Sequence, residues 1–159
     1  MGGLNLTLLT VGKSTVPFVQ PAIEHYRKRI SGHASLSIKQ IRAVPLRSGT
    51  SVVSALAVEK GRILEALGGR NVRVMVDERG TSFRSADLAA WLEGHMQHGR
   101  SRFTFVVGGP LGLSADLLRE ADLVLSISAM TLSHELALLV LLEQLYRSVA
   151  ILHGLPYPK

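Results

Sequence analysis

Residues 103–118 read FTFVVGGPLGLSADLL, and the organisation of the whole chain can be worked outward from them. The opening run, FTFVV, is a short apolar, β-branched stretch of the kind that forms a strand buried on both faces. Gly108-Gly109-Pro110 stops it, and Ser114 is placed to cap a short helix carrying Asp116. Glycine after a strand lets backbone come close to a ligand at the strand's carboxyl end, where open α/β sheets bind their ligands.

The same alternation continues on both sides. Upstream, strands are expected over 4–11, 36–44 and 72–76. Helices are expected over 16–30 with Pro17 in the first turn, over 52–67 ending at Gly68-Gly69, and from Ser85 to Gln97. Downstream, 123–127 is a fifth strand, and Ser133 caps a long last helix with Glu135 in its first turn. Strands separated by helices predict an α/β fold, a mainly parallel sheet flanked by helices. No linker, repeat or low-complexity segment interrupts the pattern, so a single domain over 1–159 is expected.

Composition narrows the class. Apolar residues are 47% and charged residues 19% of the 159, which is globular rather than disordered. With no cysteine, disulfides and thiolate metal sites are excluded, which suits a reducing, cytoplasmic setting. The start of the chain lacks a signal-peptide pattern, and the longest wholly apolar run, 136–142, is far short of the ~20 residues of a spanning helix. Net charge is uneven. Residues 1–73 hold eleven Lys/Arg against three acids (+8), and residues 74–159 hold seven against nine (−2). Such a basic half suits either a polyanionic partner or a solvated face with none. Arg27, Lys28 and Arg29, with Arg147 from the other half, are its candidate RNA contacts.

In the last helix, Glu143 and Gln144 are the only polar residues between Leu136 and Leu145. A helix apolar all round is buried on more than one side, which points to a homodimer through this helix, with burial within the monomer as the alternative.

Several motifs carry less than they promise. Gly12-Lys13-Ser14-Thr15 resembles the end of a phosphate-binding P-loop, but the glycine required five residues before Gly12 is Thr7. VRVMVDE (72–78) would suit the metal-side strand of such an NTPase and equally a buried strand with acids at its exit. His95 and His98 have i, i+3 spacing but no distant third ligand, so no metal site is expected. No nucleophile elbow supports serine hydrolase chemistry. The run 125–146 (LSISAMTLSHELALLVLLEQLY) is more informative. A strand there ends in Ser126, Ser128, Ala129, Thr131 and Ser133 before a buried helix, and such short side chains let backbone wrap a flat ligand such as adenine.

GGPLGL, SISAMTLSHELALLVLLEQLYR and the terminal PYPK, with the opening VGK, EHYRKRI and the central VDERG, closely resemble the RlmH methyltransferases of the SPOUT class. The resemblance covers nearly the whole chain. It implies an α/β domain with a C-terminal trefoil knot, a homodimer, and methyl transfer from S-adenosylmethionine (SAM) to N3 of a pseudouridine in 23S ribosomal RNA. It also implies a cofactor pocket of Val76, Gly108, Gly109, Ile127, Ser128, Ala129, Met130, Thr131 and Leu132. Three positions depart from the family. Pro158 stands where a histidine is common, Leu138 where many members have arginine, and Ala129 where lysine is frequent.

Methylating a base nitrogen requires loss of its proton, and a positioned His or carboxylate is the usual acceptor. His134 and Glu143 are the candidates here, with Tyr157 and Lys159 of the tail closing over the substrate, in reach of a partner's site. Glu143 and Arg147 are also spaced as an ordinary i, i+4 helix pair. The competing classes are a non-catalytic RNA-binding protein on a methyltransferase scaffold and an NTPase.

Overall fold

The computed structural model describes residues 3–157. Five strands, β1 (Asn5–Val11), β2 (Ser35–Ile41), β3 (Val72–Ser82), β4 (Arg102–Val107) and β5 (Leu123–Ser126), form one sheet in the order β2-β1-β4-β3-β5. Every pairing is parallel. The FTFVV strand lies at the centre, its residues 103–107 all buried. Alternation of side chains along the strands then divides the core in two. Leu6, Leu8, Phe103 and Phe105 face α1 (Val19–Ser31), α3 (Ser85–Gln97) and α5 (His134–Leu152). Leu9, Val11, Met75 and Val106 face α2 (Val52–Leu67) and α4 (Ala115–Leu118).

The helix starts show how local chemistry sets the boundaries. Ser51, Ser114 and Ser133 each accept a backbone N–H three residues on, at 3.0, 3.2 and 3.4 Å, capping α2, α4 and α5. Ser85 does not cap α3. Arg84 holds that position, its N–H bonded to Asp87, while the Ser85 hydroxyl donates to Gln144 Oε1 at 2.6 Å and ties α3 to α5. Pro17 lies before α1 rather than in its first turn, a place taken by Pro21, where a missing N–H costs nothing.

Two strands end differently from the sequence reading. β2 stops at Ile41 rather than 44 because α2 takes over the backbone groups beyond it. The Val44 N–H donates to the buried Glu59 carboxylate at 2.9 Å, and Arg62 Nη1 donates to the Arg42 carbonyl at 2.6 Å. β3 does not end at Val76. It bulges through 77–80 and pairs with β5 again at Thr81 and Ser82.

α5 also differs from expectation in where its apolar surface goes. Leu138, Leu141, Leu142, Leu145 and Val149 are buried within the chain's own core, against α1, α3 and the sheet. What stays open is a stripe of Leu136, Val140 and Ile151, 41%, 37% and 49% exposed. A partner helix would therefore meet that stripe rather than the whole helix. No helix among the described residues is long and apolar enough to cross a membrane.

Candidate active site

The carboxyl ends of β3, β4 and β5 open into a cleft of about 1400 Å³. That exceeds the ~300–1,000 Å³ of ordinary small-molecule pockets. Two loops and a helix face wall it, with residues 76–79 of β3 between the loops. One loop is the glycine turn after β4, closed by a bond from the Gly112 N–H to the Gly109 carbonyl at 2.9 Å, with Gly112 at φ +73. A side chain at Gly108 would place its Cβ 3.0–3.1 Å from Gly112 backbone and Leu113, and one at Gly109 would lie 3.1 Å from the Val11 carbonyl. A side chain at either glycine would crowd the turn itself, whether or not a ligand approaches it.

The other loop, 127–133, follows β5. Its short side chains brace its own backbone: Ser126 donates to the Ser128 carbonyl at 3.1 Å, and the Met130 N–H donates to Ser128 Oγ at 3.0 Å. The third wall is α2, through Val53, Ala57, Lys60 and Leu64. Of the residues expected in a cofactor pocket, Val76, Gly108, Gly109, Ile127, Ser128, Met130, Thr131 and Leu132 line this one cleft. Ala129 is exposed and lies outside its walls. The α2 wall had no sequence signal, since its residues read as an ordinary amphipathic helix.

His134 also lines the cleft. Its Nδ1 is 3.3 Å from the Glu135 carboxylate, and its Nε2 is buried with no hydrogen-bond partner among the described residues. Glu135, 8% exposed, was legible only as a helix-start acid, yet it is the group that orients this ring.

Glu143 is not in the cleft. It sits nine residues further along α5, about 14 Å at 1.5 Å per residue. There it accepts from Arg147 at 2.5 Å and from the Tyr157 hydroxyl at 3.1 Å. The Arg147 guanidinium lies 4.5 Å over the Tyr157 ring, Arg29 lies 4.5 Å over Tyr146, and the two tyrosine rings meet edge-on at 4.8 Å. Burial, with bonds to Glu143 and Tyr26, pushes the Tyr157 phenol up to about 12, so at neutral pH it donates a proton and cannot accept one. Within one chain, then, His134 belongs to the cleft, whereas Glu143, Tyr157 and Arg147 form a separate cluster. Lys159 and Pro158 lie outside the described residues.

The expected RNA contacts also divide. Arg27 is held by Glu24 through two bonds of 2.6 and 2.7 Å, and Lys28 stands 3.9 Å from the same carboxylate. Arg29 belongs to the aromatic cluster instead. Leu138, 7% exposed, points into the core. His95 packs against Trp91 and Phe103, and His98 Nδ1 is 2.7 Å from the Gly94 carbonyl, so both have structural roles.

A parallel sheet whose late strands feed a glycine turn and a small-residue loop around one cleft is a fold shared with solved methyltransferases. A probable methyltransferase from Bordetella pertussis Tohama I superposes with a TM-score of 0.60 at 15% identity, over 92% of this chain and 95% of that one. A probable methylase family protein from Haemophilus influenzae gives 0.60 at 13% identity, over 98% and 72%. The family described as "Predicted SPOUT methyltransferase" matches residues 4–158, and the chain belongs to it. Among its relatives, the ribosomal RNA large subunit methyltransferase H of Desulfovibrio desulfuricans is 41% identical over 99% of both chains. That of Acetivibrio thermocellus is 37% identical over 97% of this chain and 99% of its own.

Proposed function

We propose that this chain transfers the methyl group of SAM to N3 of a pseudouridine in 23S ribosomal RNA, as a single domain over 1–159 acting in the cytoplasm as a homodimer. The trefoil knot implied by the resemblance belongs to the same reading. The observation that carries it is the cleft, where the glycine turn and the 127–133 loop bring backbone and short side chains beside Lys60, Asp77, Glu78 and Arg79, a setting with room for a flat purine and its ribose. Val76, Gly108, Gly109 and the backbone of 127–132 would hold the donor, which supplies an electrophilic methyl group.

The chain's own residues do the rest. Rate comes first from holding the attacking nitrogen in line with the donor. The N3 proton goes to His134: with Glu135 engaging Nδ1, Nε2 is the nitrogen left to take it. Tyr157 acts as a hydrogen-bond donor fixed by Glu143, not as a base. Because that cluster stands away from the cleft of its own chain, it serves the cleft of a second copy docked on the Leu136–Val140–Ile151 stripe. Arg27, Lys28 and Arg147 contact RNA phosphates at the rim.

Isothermal titration with SAM, and mass mapping of 23S ribosomal RNA from cells lacking the protein, test this reading. A saturable SAM isotherm and loss of one methyl mark on a pseudouridine are expected. Binding of Mg-ATP in place of SAM, or an unchanged methylation map, would refute it.

A further inference from the structure

Strand β3 leaves its pairing with β5 after Val76 and resumes it at Thr81, so Asp77, Glu78, Arg79 and Gly80 stand out as a bulge. The strand order β4-β3-β5 places this bulge between the two loops that wall the cleft, the glycine turn after β4 and the 127–133 loop after β5. Its side chains reach in opposite directions. Arg79 Nη2 donates to the Leu113 carbonyl at 2.9 Å, on the glycine-turn side. Glu78 Oε2 accepts from the Thr131 hydroxyl at 2.5 Å, on the β5 side.

Both arms have a fixed base. Asp77 accepts from Arg79 Nε at 2.7 Å, from Nη2 at 2.9 Å and from the Arg79 N–H at 2.9 Å, which sets the direction of the guanidinium. The hydrogen bond from the Arg79 side chain holds the Asp77 carboxyl below its usual range, so the anchor stays ionised. At Gly80 any side chain would put its Cβ 2.5 Å from the Val124 carbonyl oxygen, so glycine alone lets the bulge lie against β5. Arg79 is 55% exposed, whereas the Asp77 side chain that holds it is 9% exposed. Bulges beside active sites characteristically re-aim side chains.

We infer that the 77–80 bulge is a two-armed strut that sets the width of the methyl-donor cleft, with Glu78 and Arg79 as positioning residues. They act through Thr131 and Leu113, holding the backbone of both loops at the separation the donor needs. The inference rests on the methyl-donor reading above and adds to it what keeps the cleft in register before the donor arrives.

The test is a double-mutant cycle in the full-length protein, read by SAM titration and by methyl-transfer kinetics on ribosomal RNA. Glu78→Ala and Thr131→Val should each weaken SAM binding about fivefold, the loss of one hydrogen bond. The double variant should be no worse than either single one, because both remove the same bond. Glu78→Gln, which can still accept from Thr131, should restore most of the affinity, and the KM for RNA should stay unchanged throughout. Arg79→Ala should weaken SAM separately and add to Glu78→Ala, since it frees the other loop. Additive losses at Glu78 and Thr131 would show that Thr131 meets the donor directly and would overturn the strut. So would unchanged SAM affinity in folded variants, or equal losses in Glu78→Gln and Glu78→Ala. A folded wild type that gives no SAM isotherm would instead overturn the methyl-donor reading, and the strut with it.

Discussion

Part of the cleft's wall is backbone and short side chains, supplied by Gly108–Gly112 and by 127–133. The cluster around Glu143 is the reverse: Glu143, Arg147, Tyr157 and Arg29 are long, charged or aromatic, and Glu143 itself stands about 14 Å from His134 along the helix. The difference separates two tasks. A site for a common cofactor can be made of turns that any one chain folds by itself. A site for a large nucleic acid needs charge and aromatic surface, which on the reading proposed above a second copy would bring to the donor.

The largest expected effect breaks or confirms this division at α5. Leu142 is fully buried in the chain's own core, so Leu142→Glu should unfold the protomer, costing about 3 kcal/mol or more. Val140→Glu, on the open stripe, should keep a native circular-dichroism spectrum and SAM binding while light scattering shows a monomer and methyl transfer stops. A monomeric variant with full activity would mean that one chain holds both halves of the site.

Next in size, His134→Ala should lower the methyl-transfer rate about 100-fold and alter its pH profile between about pH 5.5 and 9, with SAM affinity little changed. Tyr157→Phe should lower the rate less. Its phenol is raised above the ordinary 10 to about 12, so any stability from the Glu143 bond is present below pH 10 and is lost as pH climbs through 12. Tyr157→Phe should therefore lower the melting temperature below pH 10 and flatten the alkaline limb.

Gly108→Val sharpens the comparison from the other side. It should weaken SAM about tenfold, roughly 1.4 kcal/mol, by forcing the turn away from Gly112 and Leu113 while RNA binding persists. The smallest effect is at the rim. Replacing Arg27 and Lys28 by glutamine should reduce the salt dependence of RNA binding by no more than about one phosphate contact each, because Glu24 already offsets part of their charge.

The two loops of the cleft were legible in the sequence because their features are local: a buried strand, glycines, small residues, a serine cap. α2 was legible over about 52–67 because Gly68, at φ +60, ends it, while the Ser51 cap that starts it was not read. What was not legible depends on contacts between distant residues. β2 ends early because Glu59 captures the Val44 N–H, and β3 continues because Gly80 can lie on Val124. The all-apolar α5 reads the same whether its second face meets α1 and α3 or another chain. The separation of Glu143 from the cleft follows from helix geometry once His134 is placed there. Sequence alone did not place it.

The sheet's centre also sets a timetable for synthesis. β1 takes β2 as one neighbour and β4 as the other, pairing Asn5 with Arg102 and Thr10 with Val107. A nascent chain can join β1, α1 and β2 early, but the other edge of β1 waits until β4 has emerged. At ~5–20 residues per second that interval is roughly 5–20 s. During it Leu6, Leu8 and Leu9 sit on an unpaired edge, the stage at which this chain would be most dependent on a chaperone.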